Sequence, residues 1–402
     1  MDFHFITDDK FIDNFVRSRE DYFTRHPHVF VIAGSAPGGK LQFVSHPFVL
    51  KSHISLSDFR KKHLRPGRIP DSSRIFVHFL HRHFYKSLLS IPRNVPVHWI
   101  FYGADFYTPL SRYIERILDP KTAELYYSNA RIRGVKIKHY LPFPVSVQKK
   151  ILSFVHQFVY DEKRKRNVIA RVDFFLHWNE KDYYLVRATY QSDMKFLFFR
   201  NATGISAYPT HLLATETPEK RNRTGILFGN SAHYTNNHLD GLDVLSEKIG
   251  RENARIYCPL SYGPEDVVSA VTSRGTSLYG DSFIPQEGFM PNEEYWDFIN
   301  DNIDLLFMNQ KRTQAVGNIN RCIFLGKKVY MRRESTLYQF LRENGILVFS
   351  IEDDFLGSST GEILAPLSDH DKEQNRTRLL DTMTGEREVS TNMRLFGLDV
   401  SR

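Results

Sequence analysis

The chain has 402 residues, of which 41% are hydrophobic and 25% charged, and it carries a formal net charge of +8. That length suits two domains with a core each; no stretch approaches the roughly 18 uninterrupted apolar residues of a membrane-spanning helix, and two cysteines, Cys258 and Cys322, offer neither a disulfide framework nor a metal cluster. The positive balance asks for an anionic partner: a nucleotide-activated substrate, an acidic membrane surface or nucleic acid, the last being weakest because the basic residues are scattered and no recognised nucleic-acid module is present.

The amino end, MDFHFITDDKFID, has acids where a signal peptide would be basic, so cytoplasmic residence is the expectation. Residues 3–7 and 29–33 read as short buried strands that end in turn chemistry. Residues 35–40, SAPGGK, lack the spacing and the following Ser or Thr of a phosphate loop. Lys61, Lys62, His63, Arg65 and Arg68 form a basic turn region, and a strand over 74–79 leads to the polar cluster His81, Arg82 and His83. The strand over 97–101 runs into FYGADFY, where Gly103 permits a sharp turn and Asp105 falls just past the carboxyl end, in the crevice where open α/β sheets do their chemistry. Asp105 is therefore the candidate catalytic carboxylate, with the N-cap of a helix near Pro109 as its structural alternative. Residues 110–160 read as mainly helical, with an amphipathic stretch over 145–160. DEKRKR, 161–166, reads as a solvated loop or a lipid-headgroup contact; a strand over 168–176 and a helix over 180–189 follow. The aperiodic stretch 201–223 sets a domain boundary near 215, giving domains 1–215 and 216–360 and a polar tail, 361–402, that is either partly disordered or packed back on the first domain.

In the second half, residues 226–228, 255–258, 305–308, 329–331 and 346–349 read as strands alternating with helices, which implies a doubly wound parallel sheet. Parallel strands end on one edge, so three loops should converge on one ligand: Gly229, Asn230 and Ser231; Ser261, Tyr262 and Gly263; and Asn309 onward. The third loop opens a helix with Arg312, Gln314, Gly317 and Asn318 on its first turns, Ala315, Ile319, Cys322 and Ile323 at helical spacing, and Gly326 as its stop. Such a helix start offers N–H groups and a positive dipole end to an anion. Either it holds a diphosphate, or it is an ordinary crossover in which Arg312 is solvated and Gly317 allows close packing. His238 either touches the diphosphate or stands neutral at its helix start. Asn236 and Asn237 read as N-caps, and Tyr262 either stacks on a base or packs under its loop.

FGNSAHYTNNHLD (228–240), YCPLSYG (257–263), GDSFIPQEGFMPNEEY (280–295), LLFMNQKRTQAVGNI (305–319) and LGKKVYMR (325–332) resemble, in that order, bacterial 4-acetamido-4,6-dideoxygalactose (Fuc4NAc) transferases of the 4-alpha-L-fucosyltransferase group, glycosyltransferase family 56. FYGADFY (101–107) and RVDFFLHW (171–178) are similar to two segments of their first half. The resemblance implies a GT-B-type glycosyltransferase: two Rossmann-like doubly wound parallel-sheet domains facing a central cleft, with a dTDP-linked donor on the second and a lipid-linked or surface-glycan acceptor on the first, where His81, His83 and Tyr107 are the expected contacts.

Glycosyl transfer requires a stabilised leaving diphosphate, a deprotonated acceptor hydroxyl and exclusion of water. Arg312, main-chain N–H groups near 314–317 and the loop 229–231 are expected to supply the first without a metal or other cofactor, since no carboxylate cluster of the metal-holding type lies beside these loops. Asp105 is expected to act as the base of an inverting transfer, with Asp8, Asp173 and His83 as alternatives. The basic segments 61–68 and 161–166 are expected to hold the enzyme peripherally on the cytoplasmic face of an anionic inner membrane. A GT-B enzyme using another nucleotide sugar, such as a fucose donor, and a non-catalytic sugar-nucleotide binding protein stay open as alternatives.

Overall fold

The computed structural model describes residues 1–9, 11–33, 41–64, 68–107, 114–129, 131–132, 135–136, 162–200, 213, 223–383, 391–392 and 394–396. The strands run in chain order as β1 (Asp2–Ile6), β2 (His28–Ile32), β3 (His53–Ser55), β4 (Arg74–His78), β5 (Val97–Ile100), β6 (Arg131–Ile132), β7 (Val135–Lys136), β8 (Phe174–His177), β9 (Lys195–Phe198), β10 (Thr224–Phe228), β11 (Ala254–Pro259), β12 (Phe283–Gln286), β13 (Leu305–Met308), β14 (Lys328–Met331) and β15 (Phe349–Ser350). They form two compact units, one of Met1–Ser111, Phe154–Ile205 and Thr384–Arg402, the other of Arg112–Ser153 and Ser206–Met383. The boundary expected near 215, the stretch 35–40, the helix near Pro109 and the amphipathic stretch 145–160 lie outside the described residues.

The first unit holds a parallel sheet in the order β3-β2-β1-β4-β5-β8-β9. Helices on both faces bury the strands, so β1, DFHFI, is buried at every position rather than alternating. The chain winds outward from β1 through β2 to β3, then restarts at β4 on the other side of β1; the switch point therefore lies between β1 and β4. Phe15, Phe23, Phe30 and Phe76 fill the core beside these strands, and Leu395 and Phe396 from the tail pack into it. Arg19, wholly buried, stacks over Phe15, Phe199 and Phe396 and donates to the Asn392 side chain at 3.2 Å.

The second unit holds a parallel sheet in the order β12-β11-β10-β13-β14-β15, with its switch point between β10 and β13. The fifteen-residue helix Asp369–Met383 completes this unit: Asn375 accepts from the Leu347 N–H at 2.6 Å, and Arg376 donates to the Phe324 carbonyl at 3.1 Å. Cys258 and Cys322 are buried, free core residues.

Several local expectations change. DEKRKR is not a solvated loop where it is described: Glu162–Ile169 is a helix in which Lys165 is buried, its ammonium 5.9 Å from the Tyr190 ring centre. Val168 and Ile169 end that helix, and the strand read over 168–176 begins only at Phe174. Lys61, Lys62 and His63 close the helix Leu56–His63, their charges favourably placed at its carboxyl end rather than in a turn. Part of the region read as helical contains the small antiparallel hairpin β6-β7. No helix among the described residues is long and apolar enough to cross a membrane.

Candidate active site

The second sheet gathers its three polar loops at the switch point. Past β10, Gly229 has φ +72°, and its N–H donates to the Phe307 carbonyl at 3.2 Å. A Cβ at Gly229 would lie 2.4 Å from His238 Nε2, so only glycine lets this turn rest on the imidazole. His238 opens the helix His238–Lys248 and is buried, with its ring edge-on to Phe228. Burial, with a smaller push from His233, lowers its pKa to about 3. Neither of its ring nitrogens has a hydrogen-bond partner among the described residues.

Past β11, Gly263 has φ +137°, and a Cβ there would meet the Ala232 carbonyl at 2.1 Å. The Ala232 N–H donates to the Tyr262 carbonyl at 2.9 Å, which ties the second loop to the first. Past β13, Gln314 donates to the Asn230 side chain at 2.8 Å and accepts from the Thr235 hydroxyl at 2.7 Å. These bonds bring Gly229, Asn230, Ser231, Ser261, Tyr262, Gly263 and Gln314 together. Burial, with a smaller push from the Arg312 guanidinium, holds the nearby His233 at a pKa of about 4.

The helix opened by this third loop starts later than its periodicity indicates. It spans Val316–Phe324, and Ala315 is its N-cap in the left-handed region at φ +58°, so Arg312 and Gln314 precede the helix. No side chain among the described residues caps it, which leaves its first N–H groups to a ligand or water. Gly317 has only open space where a Cβ would point, so close helix packing is not why glycine stands there. Asn318 donates to the Tyr295 hydroxyl at 3.0 Å. Beside it lies a recess of about 170 Å³ lined by Asn230, Pro259, Ser261, Tyr262, Gln286, Gly288, Phe289, Met290, Tyr295 and Asn318. Tyr262 is 63% exposed and so does not pack under its loop.

Other expected contacts are used internally. Asn309 is buried: its amide donates to Asp119 at 3.2 Å and to the Asn237 carbonyl at 3.0 Å, and its oxygen accepts from Arg332 at 3.2 Å. Asn237 sits at the N-cap position, but its side chain instead accepts from the Asp119 N–H at 2.8 Å and donates to the Ile117 carbonyl at 2.8 Å. Asn236 donates to the Ser231 carbonyl at 2.8 Å and braces the first loop. Asp119 is the centre of this network, pairing with Lys311 at 2.7 Å and Arg332 at 2.9 Å, while Arg332 also holds Glu352 at 2.6 Å.

In the first unit, Asp105 is 3% exposed and lies within the helix Ala104–Tyr107. Its Oδ2 accepts from the Trp99 indole at 2.7 Å and the Leu80 N–H at 3.1 Å, joining the ends of β4 and β5. Burial raises its pKa, against the opposing pull of these donors and the Lys165 ammonium. Tyr107 is also buried, its hydroxyl 3.3 Å from Asp182, which removes it from any surface contact with an acceptor. His81 and His83 stand edge to face at 4.5 Å, His83 exposed, and burial lowers His81 to a pKa of about 4. Asp8 accepts three N–H groups, from Gln42, Phe43 and Val44, and Asp173 pairs with Arg171 at 2.8 Å.

The profile of one family, 4-alpha-L-fucosyltransferase glycosyl transferase group 56, matches residues 168–376, a little over half of the chain. The chain belongs to this family. Among solved structures it is similar to a glycosyltransferase from Rickettsia africae ESF-5 (11% identity, 100% of this chain and 98% of that one, TM-score 0.53). It is also similar to sucrose-phosphate synthase from Thermosynechococcus elongatus (8%, 98% and 94%, TM-score 0.52) and to the lipopolysaccharide outer core galactosyltransferase WaaB in its apo form (11%, 95% and 99%, TM-score 0.51). At such identities the likeness is one of fold, and with two parallel α/β sheets that fold is GT-B.

In this group 56 glycosyltransferase, Gln286, Phe289 and Tyr295 line the recess although no motif had singled them out; they lie in the segment 280–295 that carries the family resemblance. Asp119 had no local signal, because its partners Lys311 and Arg332 are remote in sequence.

Proposed function

We propose that this glycosyltransferase moves a deoxyamino sugar of the Fuc4NAc type from a dTDP-linked donor to a lipid-linked or surface-glycan acceptor. The observation that carries the reading is the pairing, in one unit, of an uncapped helix start beside Arg312 with an aromatic recess next to it. A diphosphate suits the first: main-chain N–H groups, the helix dipole and a guanidinium stabilise the charge that builds on the leaving group. A pyrimidine base suits the second, stacking on Tyr262 or Phe289 while the Gln286 and Asn318 amides offer donors and acceptors to its edge. On this reading charge is stabilised without a divalent cation. The neutral His238 beneath Gly229 adds no charge and acts as a fixed support, or as a hydrogen-bond partner, for the phosphate loop.

The test is a panel of nucleotides and nucleotide sugars scored by protection against thermal unfolding. A ligand at a hundredfold its dissociation constant stabilises by about 2.7 kcal/mol. dTDP and dTDP-sugars should protect more than their UDP and GDP counterparts, in the presence of EDTA, and Arg312→Ala should lose most of that protection and transfer sugar slowly. Equal protection by all three classes would leave the base recess without its assigned role.

Peripheral attachment to an anionic membrane is part of the proposal. Phe43 and Leu50 are 51% and 46% exposed, and Lys51, Lys61 and Lys62 are exposed in the same unit, a combination that suits an interfacial contact. Sedimentation with vesicles rich in phosphatidylglycerol should capture the protein, less so after Phe43→Ser with Lys61→Glu and Lys62→Glu. Equal capture of wild type and variant would remove this surface from the reading.

A further inference from the structure

A nucleoside diphosphate with its phosphates at the start of the helix Val316–Phe324 and its base in the adjoining recess lays its pentose between the two. Asn318 stands at that seam: it is the third residue of the helix, and its side chain lines the recess. Its amide donates to the Tyr295 hydroxyl at 3.0 Å, and both residues are half-buried. The Tyr295 ring is itself fixed, parallel to Phe298 at 6.0 Å between centres and 5.3 Å from the Arg321 guanidinium. Arg321 lies three residues beyond Asn318 on the same helix, so one helical face holds both the hydroxyl and the ring of Tyr295.

What this pair has left to offer can be counted. The bond between them uses one amide N–H and one lone pair of the phenol oxygen. Burial raises the Tyr295 pKa, so the phenol keeps its proton, and no described residue accepts it. The Asn318 oxygen likewise has no donor among the described residues. A single pentose hydroxyl satisfies both groups, donating to the amide oxygen and accepting from the phenol. A second hydroxyl on the neighbouring carbon meets no carboxylate. None of the described residues lining the recess is Asp or Glu, the residue types that hold ribose hydroxyls in dinucleotide sites on related sheets. Asn230, also in the lining, is engaged at both ends of its amide, by Gln314 at 2.8 Å and the Tyr262 hydroxyl at 3.4 Å.

We propose that the Asn318–Tyr295 pair holds the 3′-hydroxyl of a 2′-deoxyribose, so that this enzyme selects its donor nucleotide at C2′ rather than at the 5-methyl group of the base. The proposal rests on the sugar-nucleotide reading above and narrows it: Gln286 and Ser261 keep the edge of the base, while Asn318 serves the pentose. A ribose in the same seat buries its 2′-hydroxyl without an acceptor, which lowers affinity by about tenfold or more. Burying the 5-methyl group against Pro259 or Met290 gains only about fourfold, so the pentose decides.

The experiment is calorimetric titration of the full chain with dTDP, dUDP, UDP and 5-methyl-UDP, which separate the two features. dTDP and dUDP should bind within about fourfold of each other, and both ribonucleotides about tenfold or more weaker. Affinity that follows the methyl group, with 5-methyl-UDP as tight as dTDP, overturns the proposal. Removing the 3′-hydroxyl of dTDP should weaken binding to the wild type by about tenfold and make little difference to Asn318→Ala or Tyr295→Phe. The same loss in wild type and variants places that hydroxyl elsewhere. Asn318→Asp adds a second acceptor oxygen: its charge weakens all four ligands, but the ribonucleotides should close most of their gap to the deoxynucleotides. An unchanged gap overturns the role of Asn318. Each comparison is a ratio within one protein, and the wild-type panel alone decides between pentose and methyl group should a variant fold poorly. Wild-type binding of none of the four nucleotides retracts the sugar-nucleotide reading itself; equal binding of all four retracts only the selection at C2′.

Discussion

Taking the protein from pH 7 to pH 5 is expected to destabilise the first unit by several kcal/mol, with the loss concentrated below about pH 6.5. His4 and His78 are held well below the ordinary histidine range, chiefly by burial, and the cations of Arg19 and Arg74 near His4 add to this. His98, between the rings of Phe76 and Phe174, is pushed down to about 4 for the same main reason. All three take up protons at a lower pH in the folded chain than in an unfolded one, which protonates them as the pH falls through about 6.5. The unfolded state therefore binds more protons in this window, and stability drops as pH falls. Each histidine contributes about 1.4 kcal/mol per pH unit, so the three set an upper limit of about 4 kcal/mol per unit. Above pH 7 their contribution is constant. Calorimetry at pH 7, 6 and 5 measures this, and a first-unit transition at the same temperature throughout would show that these histidines already carry protons in the fold.

Gly229→Ala and Gly317→Ala are expected to weaken dTDP binding for opposite structural reasons. At Gly229 a left-handed alanine costs about 1–2 kcal/mol, and its Cβ would meet His238 Nε2 at 2.4 Å. Displacing that ring adds an overpacking cost of about 1–3 kcal/mol, so the second unit should melt lower and lose its response to dTDP together. At Gly317 the backbone is helical and nothing occupies the Cβ position, so alanine should raise stability by about 0.5–1 kcal/mol. If a diphosphate lies against that open space, the same methyl group lowers dTDP affinity by about tenfold or more, near 1.4 kcal/mol. Thermal melts with and without dTDP separate the two effects. Gly317→Ala binding dTDP like the wild type would move the diphosphate away from this helix start.

Much of the architecture follows from local signals. The runs at 226–228 and 305–308 were legible as strands because buried parallel strands are continuously apolar, and the glycines and amides after them mark where each strand must turn. Since parallel strands end on one edge, the convergence of their loops followed from order alone, and the Gln314 bond to Asn230 and the Ala232 bond to Tyr262 realise it. The segments that carry the family resemblance lie in this same half.

The remainder depended on direction and on distant partners. Asp105 and Asp9 are both acids just past a strand, yet one faces the core and the other a cavity. Ala315 satisfied the helical spacing but stands as a left-handed cap, because the loop before it is shaped by Asn230 and Thr235 from another strand end. Asn309 has the composition of a ligand contact and is instead consumed by Asp119 and Arg332. The sequence by itself determined which residues form the strands and where their polar ends fall, since periodicity and turn chemistry act over a few neighbours. Which of those polar groups remain open to a ligand was decided only by the tertiary structure, because burial and hydrogen-bond satisfaction depend on residues more than two hundred positions away.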